Sequence, residues 1–236
     1  MKKIFLITLA LISYSAFAWN SKDFKNELLS PTGKEARYFL YAGGSLTALA
    51  IIFEEEIDRG HNKIVNNRPL GDLSNYGDIA GQLVPNAAYV LTNIILGYSG
   101  DPQAYQKALG MFKATAYAGG TTTVLKYIVR EPRPHDHSQR NSFPSGHSAT
   151  VFAFSGYVWA EHGWKWGVPA MSISLLTGAS RVNDNKHRVH DVLAGATIGL
   201  AYGWGIQRLQ QSNKSSVSVV PILDSQTKGI AMHYEY

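Results

Sequence analysis

The sequence contains no cysteine among its 236 residues. Disulfides, thiolate zinc sites, iron–sulfur clusters and cysteine nucleophiles are therefore excluded, and the fold is stabilised without covalent cross-links. Charge is also scarce, since charged residues make up 17% of the chain and hydrophobic residues 45%. No run of five basic residues occurs. The composition therefore predicts no nucleic-acid partner.

The first 18 residues have the features of a secretory signal peptide. Lys2 and Lys3 precede an apolar run from Ile4 to Ile12, and the small-residue pattern Ala16-Phe17-Ala18 follows. We expect cleavage after residue 18, and an uncleaved membrane anchor is the alternative. Cleavage removes two lysines and lowers the formal net charge from +5 to +3. This charge is compatible with an anionic substrate or an anionic membrane surface.

Uninterrupted apolar runs of membrane-spanning length are also scarce. A spanning helix needs about 20 consecutive apolar residues, whereas most apolar stretches here are shorter or carry charge, such as Lys113. The sequence therefore favours an exported, periplasmic protein that is soluble or membrane-associated. An integral inner-membrane protein with its site facing the periplasm is the alternative.

The apolar stretches that do occur have helical length and are separated by proline- and glycine-rich breaks. Small residues recur within them and let helices approach closely. We predict an all-α bundle of about six helices over residues 19–212, followed by a C-terminal β-hairpin within residues 213–236. The predicted helical stretches are Tyr38–Phe53, Ile79–Leu96, Ala104–Val129, Ser148–Ala160, Val168–Ser180 and Val192–Gln207.

Three short motifs in the second half of the chain carry the chemistry. Together they supply three cations, two histidines and a carboxylate, which is the inventory needed to pass a phosphoryl group through a histidine without a metal. The motifs are Lys126 with Arg133-Pro134, then Pro144-Ser145-Gly146-His147, and then Ser180-Arg181 with His187 and Asp191.

The local sequence suits these residues to phosphate chemistry. Arg133 lies between two prolines, so we expect it on an extended turn from which its guanidinium can bind phosphate oxygens bidentately. Ser145 and Gly146 precede an apolar helix, whose free N–H groups bind anions; Ser145 can also be a helix N-cap. Asp191 follows His187 by one helical turn, so its carboxylate can reach the imidazole.

The order and spacing of these motifs resemble the type 2 phosphatidic acid phosphatase (PAP2) superfamily, which includes class A acid phosphatases, lipid phosphatases and vanadium haloperoxidases. The resemblance covers residues 126–191. It implies that His187 is the nucleophile of a covalent phosphohistidine, that Asp191 orients it, and that His147 protonates the leaving oxygen. It also implies no metal and no cofactor. The phosphate-binding residues that it implies are Lys126, Arg133, Ser145, Gly146 and Arg181.

Two neighbouring histidines suggest a metal as an alternative. His135 and His137 flank Asp136 on the loop after the second cation, and this trio with a distant histidine can bind zinc. We expect them instead to line the mouth of the pocket. His190 does not match the motif, and we expect it to be a wall or surface residue. The acidic run 54–58 is expected to be a solvated helix end without a chemical role.

We therefore expect a metal-independent phosphatase acting on phosphate monoesters or diphosphates. The substrate class that we favour is a lipid phosphate, such as phosphatidic acid, an isoprenyl diphosphate or a lipid A type molecule. A soluble acid phosphatase or phosphotransferase is the alternative. A vanadate-dependent haloperoxidase and a non-catalytic phosphate- or lipid-binding protein are the remaining hypotheses.

Overall fold

The computed structural model describes residues 21–212 and the backbone of two strands further on. The predicted signal peptide, residues 1–18, lies outside the described residues. Nine α-helices and one 3-10 turn, Ser30–Thr32, occur within residues 21–212. The helices are α1 Ser21–Leu28, α2 Arg37–Ile52, α3 Glu54–Asn67, α4 Leu73–Gly81, α5 Val84–Tyr98, α6 Ala104–Val129, α7 Gly146–His162, α8 Trp164–Asn183 and α9 Val189–Ser212.

The all-α prediction is confirmed for this helical part, whereas the expected number of about six helices is wrong. Helices α1, α3 and α4 were not predicted, since α1 and α3 are polar and α4 is short. The first turn of α3 carries Glu54, Glu55 and Glu56, which stabilise a helix N-terminus through its dipole. The predicted stretch 79–96 divides into α4 and α5, because Leu83 adopts a positive φ of 71° and Pro85 lies in the first turn of α5.

Two strands follow the helices. Strands β1 (Ser218–Leu223) and β2 (Lys228–His233) pair antiparallel, with Val220 opposite Ala231. The connection between them, residues 224–227, lies outside the described residues. That residues 213–236 form a separate C-terminal hairpin tail remains a prediction.

Helices α7 and α9 form the closest pair in the bundle. Gly195, Gly199 and Gly203 recur every four residues on one face of α9, so they form a smooth stripe. A Cβ added to any of them would collide with a backbone carbonyl oxygen of residue 145, 149 or 153. The absence of side chains along this stripe therefore allows the two helix backbones to touch.

The core lies between α6, α7, α8 and α9. Each of these helices contributes side chains to one buried cluster, for example Met111 of α6, Tyr157 of α7, Ala170 of α8 and Ile206 of α9. The four helices run so that the C-terminal ends of α6 and α8 and the N-terminal ends of α7 and α9 meet at one end of the bundle. All three sequence motifs lie at that end.

Within residues 21–212, no helix by itself is both long and apolar enough to cross a membrane. Helices α4 and α5, which are bent by 55° at their junction, pass that test of length and composition only as a pair.

Candidate active site

The buried pair of His187 and Asp191 lies at the start of α9. The Nδ1 atom of the imidazole is 3.3 Å from Oδ2 of the carboxylate, and the two side chains are 2% and 0% exposed. This contact was predicted from their spacing of four residues. With Nδ1 turned toward the carboxylate, Nε2 is the ring nitrogen available to a ligand.

The same carboxylate oxygen has two further partners that the sequence did not reveal. The Ser142 hydroxyl donates to Asp191 Oδ2 at 2.6 Å, and the backbone N–H of Arg188 donates to it at 2.9 Å. The Ser142 hydroxyl oxygen also lies 3.4 Å from His187 Nδ1. These contacts hold the carboxylate in place beside the imidazole.

The second motif is joined to the third through the backbone. The N–H of Ser145 donates to the carbonyl oxygen of Asp191 at 2.9 Å. The Ser145 side chain is the N-cap of α7 and accepts from the N–H of Ser148. The first turn of α7, with Gly146 and His147, therefore begins beside the His187 pair, and Ser145 has the capping role that was predicted as one alternative.

Two of the three cations are held by the loop of residues 130–145. The Lys126 ammonium donates to the carbonyl oxygens of Asn141 and, at 3.1 Å, of Ser142. The Arg133 guanidinium donates through Nε to the side-chain oxygen of Asn141 at 2.7 Å. This contact fixes the Arg133 side chain through one of its nitrogens, while both terminal nitrogens have no partner among the described residues.

The third cation, Arg181, pairs with a carboxylate on α4. Its Nη1 donates to Oδ1 of Asp78, and the same oxygen lies 3.5 Å from Nε2 of His147. The Arg181 side chain is 6% exposed, and its Nε has no partner among the described residues. Asp78 was missed because it lies about one hundred residues before Arg181 and belongs to none of the three motifs.

Burial and neighbouring charges set the protonation of the His187 pair. Burial lowers the pKa of His187 to about 4, although the hydrogen bond and charge of Asp191 act in the opposite direction. Burial alone would raise the pKa of Asp191, but the hydrogen bonds from His187 and Ser142 and the charge of His187 leave it below its usual value. At neutral pH the imidazole is therefore neutral and the carboxylate is ionised.

The pKa values of Lys126 and His147 are lowered by burial and by the positive charges near them. Burial and the neighbouring charge of Arg133 lower the pKa of Lys126 to about 8. Burial, followed by the charge of Arg181, lowers the pKa of His147, and Arg133 and Lys126 lower it further. The three cations and both histidines thus lie within electrostatic reach of one another, as the motifs predicted.

A second layer of charged residues supports the start of α9. His190 is 5% exposed, so it is buried rather than at the surface, and its Nε2 lies 2.9 Å from Oε1 of Glu131. Arg188 donates to the same oxygen at 3.0 Å and lies 3.3 Å from Glu54 and 3.9 Å from Asp58 on α3. The acidic start of α3 therefore contacts α9, although we expected a solvated helix end.

One group of side chains in the described part of the chain could hold a metal ion. Glu131, His190 and Asp191 present ligand atoms within 4.8 Å of one another. The Glu131 carboxylate in this group already accepts from Arg188. The His135, Asp136 and His137 trio does not come together in this way, since the Asp136 carboxylate accepts from the neighbouring residues 138 and 139 instead.

A family model matches the part of the chain that contains the three motifs. The model of the PAP2 superfamily matches residues 107–215, which are 109 of the 236 residues of the chain. The matched region contains the three cations, both histidines and Asp191. The family resemblance inferred from the motifs is confirmed.

Three curated relatives are similar to parts of the chain. A lipid A 1-phosphatase of Porphyromonas gingivalis is 37% identical over 134 residues, which cover 53% of this chain and 29% of the relative. A lipid A 4'-phosphatase of Helicobacter pylori is 36% identical over 77 residues, covering 33% and 36%. A lipid A 1-phosphatase of Rhizobium etli is 31% identical over 108 residues, covering 40% and 45%. Each alignment spans less than half of the relative's length.

The fold is similar to a solved structure. The crystal structure of a transmembrane PAP2 type phosphatidylglycerolphosphate phosphatase from Bacillus subtilis matches with a TM-score of 0.51 and 21% sequence identity. The match covers 75% of this chain and 96% of that one. At this identity the likeness concerns the arrangement of the helices.

Proposed function

We propose that this protein is a phosphatase that hydrolyses lipid phosphates through a covalent phosphohistidine on His187. The observation that carries the proposal is the convergence of a neutral, carboxylate-held histidine, a second histidine and three cations at one end of four helices. Phosphoryl transfer depends on positioning and on charge stabilisation around three equatorial oxygens. Lys126, Arg133 and Arg181 would supply that stabilisation, together with the N–H groups at the start of α7.

The first step is attack by His187. The lone pair on Nε2 forms the N–P bond, and the P–O bond to the leaving group breaks with its electron pair on oxygen. Asp191 stabilises the imidazolium that forms and keeps the proton on Nδ1. His147 donates a proton to the departing oxygen and becomes neutral.

The second step releases phosphate. Water attacks phosphorus while the now neutral His147 accepts its proton. The N–P bond then breaks and returns its electron pair to His187 Nε2. Both histidines end in their starting protonation states, so the cycle needs no further reactant.

Two observations support a lipid as the group that carries the phosphate. The three curated relatives are lipid A phosphatases by name, so a lipid A type substrate is the form that we favour. The described residues also expose thirty large apolar or aromatic side chains, and exposed apolar surface is a feature of membrane interaction sites. We therefore propose that the protein is exported and works at a membrane surface, with residues 1–18 as its signal peptide and residues 19–212 as the phosphatase domain.

The test is a phosphate-release panel on purified protein. It compares a lipid A type molecule, phosphatidic acid, an isoprenyl diphosphate and a nucleotide. We expect release from lipid phosphates and little from the nucleotide. His187→Ala should abolish release from all of them, because no other group replaces the nucleophile, while the exposed His137→Ala retains turnover. We also expect the chelator EDTA to have no effect.

Two outcomes would contradict the proposal. Appreciable residual turnover in folded His187→Ala would reject His187 as the nucleophile. Loss of turnover in EDTA would favour a metal-dependent route instead. A nucleotide preferred over every lipid would redirect the substrate class to soluble phosphomonoesters, with the same chemistry.

A further inference from the structure

The Asp78 carboxylate faces two of the groups to which the proposed reaction gives a role. Its Oδ1 contacts Nη1 of Arg181 and lies 3.5 Å from Nε2 of His147. Its Oδ2 accepts from the Gln82 side chain at 3.0 Å. The Asp78 side chain is 37% exposed whereas that of Arg181 is 6% exposed, so the carboxylate lies where the buried cation meets solvent.

Two glycines bring Asp78 to this position. Gly77 and Gly81 are one helical turn apart on α4, and both are buried. A Cβ on Gly77 would lie 2.7 Å from Oγ of Ser180, and a Cβ on Gly81 would lie 2.5 Å from Cδ2 of His147. Only glycine therefore lets α4 pack this closely against the end of α8 and the start of α7.

The charges around His147 determine how strongly a nearby carboxylate affects its protonation. Burial disfavours the imidazolium most, and Arg181 on α8, Arg133 on the loop and Lys126 on α6 disfavour it as well. Asp78 on α4 acts in the opposite direction and favours it. A general acid must carry its proton when the leaving oxygen departs, so a counter-charge to the three cations is required near His147.

We infer that Asp78 is a positioning residue for the proposed phosphohistidine reaction, in which its carboxylate holds Arg181 toward the phosphate and favours the protonated form of His147, the acid. The inference rests on the function proposed above. At 3.5 Å the His147 nitrogen is beyond the usual length of a hydrogen bond to the carboxylate. Its proton therefore remains available to the leaving oxygen, while the negative charge stabilises the imidazolium through space.

The test measures the pH dependence of kcat for wild type and Asp78→Asn with two substrates of different leaving group. Short-chain phosphatidic acid has an alkyl oxygen that needs protonation, whereas an aryl phosphate with a good leaving group needs it much less. Loss of the carboxylate lowers the pKa of His147. The alkaline limb of the variant's profile should therefore move to lower pH, and kcat at neutral pH should fall about tenfold or more for the alkyl ester and far less for the aryl ester.

Matched variants separate this role from a structural one. Asp72→Asn removes the same charge from the exposed start of α4, and we expect it to leave the profile unchanged. Asp78→Glu retains the charge and should restore the alkaline limb in part. Thermal unfolding followed by circular dichroism confirms that each variant is folded.

Several outcomes would overturn the inference. The first is an Asp78→Asn profile that coincides with that of wild type, and the second is an equal loss of kcat on both substrates. A third is higher turnover in Asp78→Asn, which would mean that the carboxylate blocks the phosphate site. A wild-type protein inactive on both esters, by contrast, would refute the proposed function itself.

Discussion

Ser142 links the loop before α7 to the pair at the start of α9. Its hydroxyl donates to Asp191 Oδ2 at 2.6 Å and is fully buried. Hydrogen bonds to charged groups contribute about 1.5–3 kcal/mol. We expect Ser142→Ala to lower kcat by about tenfold or more, because the carboxylate would hold His187 less firmly, with KM changed little.

Ser138 provides the matched control for this prediction. It lies on the same loop and donates to the exposed carboxylate of Asp136 at 2.6 Å. Ser138→Ala should therefore leave steady-state phosphate release unchanged. If both variants lost turnover equally, the effect would come from the loop as a whole and the specific role of Ser142 would be wrong.

The contacts within one motif could be predicted at this scale, and those between distant segments could not. The spacing of four residues predicts that Asp191 reaches His187, and the contact forms although His187 lies two residues before the first residue of α9. Asp78 and Ser142 meet the site through tertiary packing, over separations of 103 and 49 residues. Sequence spacing carries no information about such contacts. The catalytic and phosphate-binding roles of the motif residues remain predictions.

The glycine stripe of α9 makes a prediction about the helix pair at its centre. A Cβ on Gly199 would collide with the carbonyl oxygen of Ala149 and lie 2.8 Å from the N–H nitrogen of Ala153. These are backbone atoms that cannot move aside without displacing α7. We expect Gly199→Ala to lower the free energy of unfolding by about 1–3 kcal/mol, as overpacking does in other cores.

Gly120→Ala on α6 is the control for Gly199→Ala, and denaturant unfolding measures the stability of both variants. Nothing lies within 4 Å of a Cβ added there, and alanine favours a helix interior by up to about 1 kcal/mol over glycine. We expect this variant to be as stable as wild type or more stable. Equal changes in stability at the two positions would contradict the role given to the close approach of α7 and α9, because only the Cβ at Gly199 meets backbone atoms of α7.

Apolar content explains which helices could be predicted. The four core helices are long and rich in hydrophobic residues, so each of them overlaps a predicted stretch. Helix α3 was missed because its sequence is mostly polar. Contacts such as the ion pair of Glu54 with Arg188 at 3.3 Å hold it in place. The break between α4 and α5 depends on the positive φ of Leu83, a conformation that an apolar residue gives no reason to expect.

The described part of the molecule combines a cluster of charged groups at one end of the bundle with many exposed apolar side chains. The sequence predicted the pocket, since its residues are adjacent in motifs. The exposure of so many apolar side chains was not predicted, because composition does not tell which apolar side chains face outward. Tyr127 and Ile128 are 79% and 70% exposed at the end of α6, directly after the predicted phosphate ligand Lys126. An apolar surface therefore borders the proposed site.

This arrangement predicts that binding to a membrane and turnover of lipid substrates depend on the same surface. Replacing Tyr127 and Ile128 with serine removes two large apolar contacts with lipid while leaving the charged groups of the pocket in place. We expect the double variant to float less with phospholipid vesicles and to have a raised KM for phosphatidic acid in those vesicles. Turnover of a water-soluble aryl phosphate should be unchanged, because that substrate needs no membrane.

Thr123→Ala, at an exposed position one turn earlier on α6, controls for the substitution itself. Equal loss on both substrates would place Tyr127 and Ile128 in support of the pocket and would contradict their assignment to the membrane surface.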